Sequence, residues 1–129
     1  MKTIPRFASA LLTGGKTVIY GDGMQTRDFT FIEDCVQANL LACTASEEAC
    51  GRAYNIAFGK QTSILSVYET LKGLLGSEGE PTFAPPRAGD VRDSLADISA
   101  ARAALGYSPK YDITAGLAKA AEWYRSNLS

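Results

Sequence analysis

The sequence predicts a mixed α/β (α+β) fold of short strands and about five helices. Three observations lead there. Apolar residues recur at helical spacing in several segments that carry capping residues, short apolar runs close in glycine turns, and 129 residues is the size of one domain. Hydrophobic residues make up 46% and charged residues 21%, enough apolar material for a core, so residues 1–129 are expected to fold as one unit.

The first segment sets Ile4, Phe7, Leu11 and Leu12 on one face of an amphipathic helix. Its order of basic, apolar and small residues is that of a signal peptide. Pro5, Arg6 and Ser9 interrupt the apolar run, however, and no clear cleavage pattern follows, so the soluble helix is the better reading. Thr17-Val18-Ile19-Tyr20 reads as a strand closed by the turn Gly21-Asp22-Gly23, and Phe29-Thr30-Phe31-Ile32 as another. Glu33 and Asp34 open a helix running to about Ala45, where acidic side chains meet the positive end of the helix dipole. Ala53-Tyr54-Asn55-Ile56-Ala57 reads as a buried strand.

Thr62 or Ser63 caps the next helix, with Ile64, Val67, Tyr68, Leu71 and Leu75 on one stripe. Prolines at 81, 85 and 86 make Gly79 to Gly89 an extended loop with a strand near Thr82-Phe83. Asp97 or Ser99 caps a short helix that Gly106 ends in the left-handed conformation. The last helix is capped by Asp112 or Thr114 and turns Leu117, Ala120, Ala121 and Tyr124 inward.

Several function classes are excluded. Thirteen basic residues against fourteen acidic ones leave a net charge of −1 and no basic stripe for nucleic acid. No apolar stretch approaches the ~20 residues of a membrane helix. There is no histidine, hence no histidine triad and no histidine metal ligand. Cys35, Cys43 and Cys50 lack metal or redox spacing and read as reduced thiols of a cytoplasmic protein.

Two motifs look catalytic at first sight. Gly21-Asp22-Gly23 follows a strand as a dinucleotide fingerprint does, but its third glycine position is Thr26, and a strand entrance follows instead of a helix. Tyr68 and Lys72 match Y-x-x-x-K, yet Tyr68 belongs to the apolar stripe and Lys72 can extend away from it. No catalytic residue is expected in this chain.

Four further features stand in order: Val18-Ile19-Tyr20-Gly21-Asp22-Gly23, then Thr26-Arg27-Asp28-Phe29 with Asp34, then Ala53–Ala57, then Pro86-Arg87-Ala88-Gly89-Asp90-Val91 followed by Ala96-Asp97-Ile98-Ser99. The ordered set, from Pro5 to about Tyr124, resembles the C-terminal, substrate-binding portion of extended short-chain dehydrogenases. Within that NAD-dependent epimerase/dehydratase family it is most similar to the UDP-glucose and UDP-N-acetylglucosamine 4-epimerases. The resemblance implies a small sugar-nucleotide-binding domain without its N-terminal Rossmann half. It also implies a role for each motif residue: Arg27 and Arg87 on the diphosphate, Asp90 on the ribose hydroxyls, Val18 and Tyr20 against uracil. Guanidinium groups suit phosphate oxygens because they donate bidentately.

Each residue also has a plainer reading. Arg27 could pair with Asp28, Arg87 could be solvated, Asp90 could be a turn residue, Tyr20 a core residue, and Asn55 a maker of structural hydrogen bonds. The resemblance implies NAD in the parent protein and no cofactor in this chain, so no epimerase activity is expected of the chain alone. The Cys35–Ala45 helix and the 53–57 strand are expected to face the Rossmann half, which makes that surface a candidate for homo-oligomer contact. A non-enzymatic interaction module, or part of a dehydratase or decarboxylase, are the other readings.

Overall fold

Apolar spacing becomes helix throughout the computed structural model, which describes residues 3–128. Helix α1 (Thr3–Thr13) buries Phe7, Ala8 and Leu11. Strand β1 (Val18–Tyr20) follows, then β2 (Thr26–Arg27), α2 (Ile32–Cys43) and a 3₁₀ turn at Glu47–Ala49. Strand β3 (Thr62–Ser63) leads directly into α3 (Ile64–Leu75), followed by β4 (Thr82–Ala84), α4 (Ser99–Leu105) and α5 (Ile113–Leu128).

The caps of α3 and α5 act where the sequence sets them. Ser63 accepts from the Ser66 N–H at the start of α3, and Asp112 from the Ala115 N–H at the start of α5. At α4 the cap position falls to Ile98, not to Asp97 or Ser99; Asp97 accepts from the Ser99 N–H from one residue further back, and Gly106 closes the helix at φ 67°. Among the described residues no helix is long and apolar enough to cross a membrane.

Two apolar clusters hold these elements. The larger packs α1, β1, α3 and α5 through Phe7, Leu11, Ile19, Ile64, Val67, Tyr68, Leu71 and Leu117. The ring of Phe7 meets that of Tyr68 edge-on at 5.5 Å. The smaller cluster gathers Ala38, Ala57, Ile98, Ala101 and Tyr107. The pair β1–β4 is parallel, with Val18 opposite Thr82 and Tyr20 opposite Ala84, whereas β2–β3 is antiparallel.

Two expected strands are not strands. Residues 29–31 join no ladder among the described residues, Phe31 alone being recorded as extended at φ −76° and ψ 145°, and Ile32 already belongs to α2. Side-chain packing holds this segment instead: Phe29 lies against the larger cluster, and Phe31 sits 4.9 Å from the Tyr111 ring. Gly116 makes room for Phe31, because a Cβ there would stand 3.2 Å from the ring.

Residues 53–57 likewise have no ladder partner among the described residues, the chain bends at Ala57, and Ala53 and Asn55 are exposed. A strand needs a neighbour to close its hydrogen bonds. This one is fixed by isolated contacts: Asn55 donates to the Asp97 carbonyl, and the Tyr107 hydroxyl donates to that of Ala57 at 2.7 Å. The structural reading of Asn55 therefore holds.

Candidate functional site

The site forms where β1 ends. Gly21 and Gly23 turn the chain at φ 82° and 78°. Gly23 is required twice over, because a Cβ there would also meet the Leu65 Cβ at 3.0 Å. This tight approach sends Thr26 and Arg27 into β2. The glycine turn thus leads to a strand and not into a helix, and the α3 N-terminus packed on it spends its Ile64 and Leu65 N–H groups on the Gln25 and Gly23 carbonyls, so these groups do not fit a dinucleotide pyrophosphate.

Among the described residues, strand β1 has β4 as its one neighbour. The Gly21 N–H donates to the Ala84 carbonyl and the Thr82 N–H to the Thr17 carbonyl. In a parallel ladder a residue aims its N–H and C=O to the same side. Residues 17, 19 and 21 therefore face β4, while Val18 and Tyr20 aim theirs the other way. Gln25, 9% exposed, donates from Nε2 to the Tyr20 carbonyl at 2.6 Å, which leaves the Val18 N–H, the Val18 carbonyl and the Tyr20 N–H along the free edge.

That edge borders a cleft lined by Val18, Tyr20, Arg87 and Asp90, together with Arg6, Lys16 and Gln25. A second opening shares Tyr20, Gln25, Arg87 and Asp90 and adds Asp22, Pro86 and Arg92. Arg27 joins the group through Asp90, at 3.3 Å from its Oδ1. Arg27 also donates to the Thr26 and Arg92 carbonyls, which fixes its head group. All five expected binding residues therefore fall in one neighbourhood, drawn from β1, β2 and the loop after β4.

The Arg87 guanidinium stacks on the Tyr20 ring, 3.9 Å from its centroid. Hydrogen bonding and charge from Arg87, and more weakly the charge of Arg6, hold the Tyr20 phenol below the ordinary tyrosine range. The loop carrying Arg87 is clasped to the turn after β1. Arg92 bonds both carboxylate oxygens of Asp22 at 2.8 and 3.1 Å, and this contact is the first cause of an Asp22 pKa below the usual carboxylate range. Thr26 donates to Asp93 at 2.8 Å beside it.

Asp28 does not pair with Arg27 in the recorded contacts. Its carboxylate collects the N–H groups of Phe58, Gly59 and Ala96. Asp34 is buried and accepts from the N–H groups of Lys110 and Tyr111 at 2.8 and 3.0 Å. Tyr68 and Lys72 lie away from the cleft: Tyr68, 1% exposed, donates to the Gly79 carbonyl, and Lys72 pairs with Glu80. Among the described residues no cluster of histidine, cysteine or acidic side chains could hold a metal ion.

Arg6, Lys16, Gln25 and Arg92 escape the sequence reading. On the polar face of a helix or in a loop, a cation carries no local sign of which cleft it borders. Gln25 alone gives a hint, as an uncharged polar residue between a glycine turn and a strand.

The model of the NAD dependent epimerase/dehydratase family matches residues 1–57. A UDP-glucose 4-epimerase of Mycolicibacterium smegmatis is 38% identical over 120 residues, which is 93% of this chain and 38% of that protein. A dTDP-glucose 4,6-dehydratase of Actinoplanes is 34% identical, over 99% of this chain and 40% of its own length. Among solved structures, the Thermotoga maritima UDP-glucose 4-epimerase with UDP-glucose superposes with a TM-score of 0.90 at 35% identity, covering 98% of this chain and 40% of that one. The chain thus spans about two fifths of the length of the relatives it matches.

Proposed function

Because the chain belongs to the NAD dependent epimerase/dehydratase family, we propose that it is the C-terminal, sugar-nucleotide-binding domain of a UDP-sugar 4-epimerase. The observation that carries this reading is the cleft itself, where Val18, Tyr20, Arg87 and Asp90 meet and Arg27 is held against Asp90. Two arginines sixty positions apart serve one anion, and their planar donors suit a diphosphate. The free β1 edge presents donor, acceptor and donor in sequence, the complement of the carbonyl, N–H and carbonyl edge of uracil. Tyr20 supplies the ring against which the base packs, and Asp90 accepts from the ribose hydroxyls once Arg27 turns to phosphate.

Catalysis requires more than this chain. NAD belongs to the remaining part of the parent protein, and the Tyr68–Lys72 pair is committed to the core and to Glu80. The chain alone therefore binds a UDP-sugar weakly and does not interconvert it. Isothermal titration with UDP gives the test. Arg27→Ala and Arg87→Ala each weaken binding by about tenfold or more, the worth of a charge-assisted hydrogen bond. UDP affinity unchanged by both substitutions overturns the assignment.

A second reading has an observation of its own. Ile32, Val36 and Leu40 form an exposed apolar stripe on α2, a surface suited to self-association and to a non-enzymatic interaction role. A dehydratase parent draws support from the 34% identical relative. Cytoplasmic residence is supported by the three free thiols, Cys35, Cys43 and Cys50.

A further inference from the structure

Resting on the base-binding reading above, we propose that Arg6, with Lys16 beside it, sharpens the β1 edge's choice of base, by donating to a carbonyl oxygen of the base at that edge. Arg6 and Lys16 border the cleft along that edge, together with Thr3, Thr17 and Val18. The second opening, where Asp22 and Arg92 lie, includes neither of them. The two cations therefore stand on the base side of Tyr20, and Arg92 on the other.

Guanidinium and ammonium groups only donate. Uracil offers them carbonyl oxygens on both flanks of its ring N–H. Cytosine puts an amino group at one of those places, which sets donor against donor and leaves both polar groups without partners, the more costly arrangement. Arg6 lines the same cleft as Tyr20 and Arg87, and its charge, after that of Arg87, lowers the Tyr20 phenol. A base packed on that ring thus lies between a side chain that reads it and one that holds its phosphates.

The test compares UDP with CDP by isothermal titration on the whole chain. Arg6→Ala is a change on the exposed face of α1, and circular dichroism confirms that the helices persist. It weakens UDP binding by about tenfold and leaves CDP nearly unchanged, so the UDP-to-CDP preference shrinks by about the same factor, down to the part that the β1 edge itself reads. Arg87→Ala weakens both ligands equally and keeps the ratio. Equal loss of UDP and CDP in Arg6→Ala overturns the proposal by making Arg6 a phosphate contact, and so does no loss of either. Failure of the unaltered chain to bind UDP defeats the nucleotide reading as well, an outcome distinct from a ratio that ignores Arg6.

Discussion

Asp34 is 2% exposed, and both of its carboxylate oxygens are spent on backbone N–H groups more than seventy positions away. It joins the start of α2 to the entrance of α5. Asp34→Ala leaves two N–H groups without acceptors and is expected to cost about 2–4 kcal/mol, read as a lower urea midpoint with an unchanged slope. A loss under ~0.5 kcal/mol would show that water replaces the carboxylate without penalty. Asp28 works in the same way on Phe58, Gly59 and Ala96. In the sequence, one aspartate reads as a helix opener and the other as a neighbour of Arg27. Acidity is written locally; the partner is chosen by the fold. Arg27 is the converse case, since its expected company with Arg87 and Asp90 came from an ordered set of motifs and not from spacing.

Helices were legible because their evidence is local. Caps at Ser63 and Asp112, apolar spacing and the glycine stop at 106 all lie within a few residues of what they govern. Strands depend on neighbours, so the same apolar alternation gave β1 correctly and residues 29–32 and 53–57 wrongly. The two-residue strands β2 and β3 carry no pattern to read. Segment 53–57 leans on Tyr107, whose hydroxyl is tied to Ala57 and whose pKa burial pushes up to about 12. The neutral phenol is the form the fold favours. Its contribution is therefore whole below pH ~10, where an unfolded tyrosine ionises. It is lost as pH rises from there to about 12. Stability is expected to fall through this alkaline window by on the order of 2–3 kcal/mol. Tyr107→Phe, less stable at neutral pH, loses that part of the slope, and denaturant midpoints at pH 8 and pH 11 compare the two proteins.

At the scale of the whole molecule, the unpartnered stripe on α2 governs behaviour in solution. Ile32, Val36 and Leu40 are 65%, 49% and 65% exposed, one turn apart along the helix. Burying a leucine contributes about 1.5–3 kcal/mol, so a pair of such faces is enough for association at moderate concentration. Sedimentation velocity is expected to show concentration-dependent self-association that Leu40→Glu weakens by about tenfold or more while keeping its helicity; a monomer at every concentration removes the oligomer reading. The cleft shows the opposite economy, being assembled from distant parts: one wall comes from residues 3–25, the other from 83–92, and Ile64 of α3 lies between them in sequence. During synthesis, β1 leaves the ribosome long before β4 exists, and the parallel pair can close only once the chain through α3 and β4 has emerged. A nascent chain therefore carries the recognition edge for much of its translation with nothing to hold it straight, and nucleotide can begin to protect the protein only after the Arg87 loop has emerged.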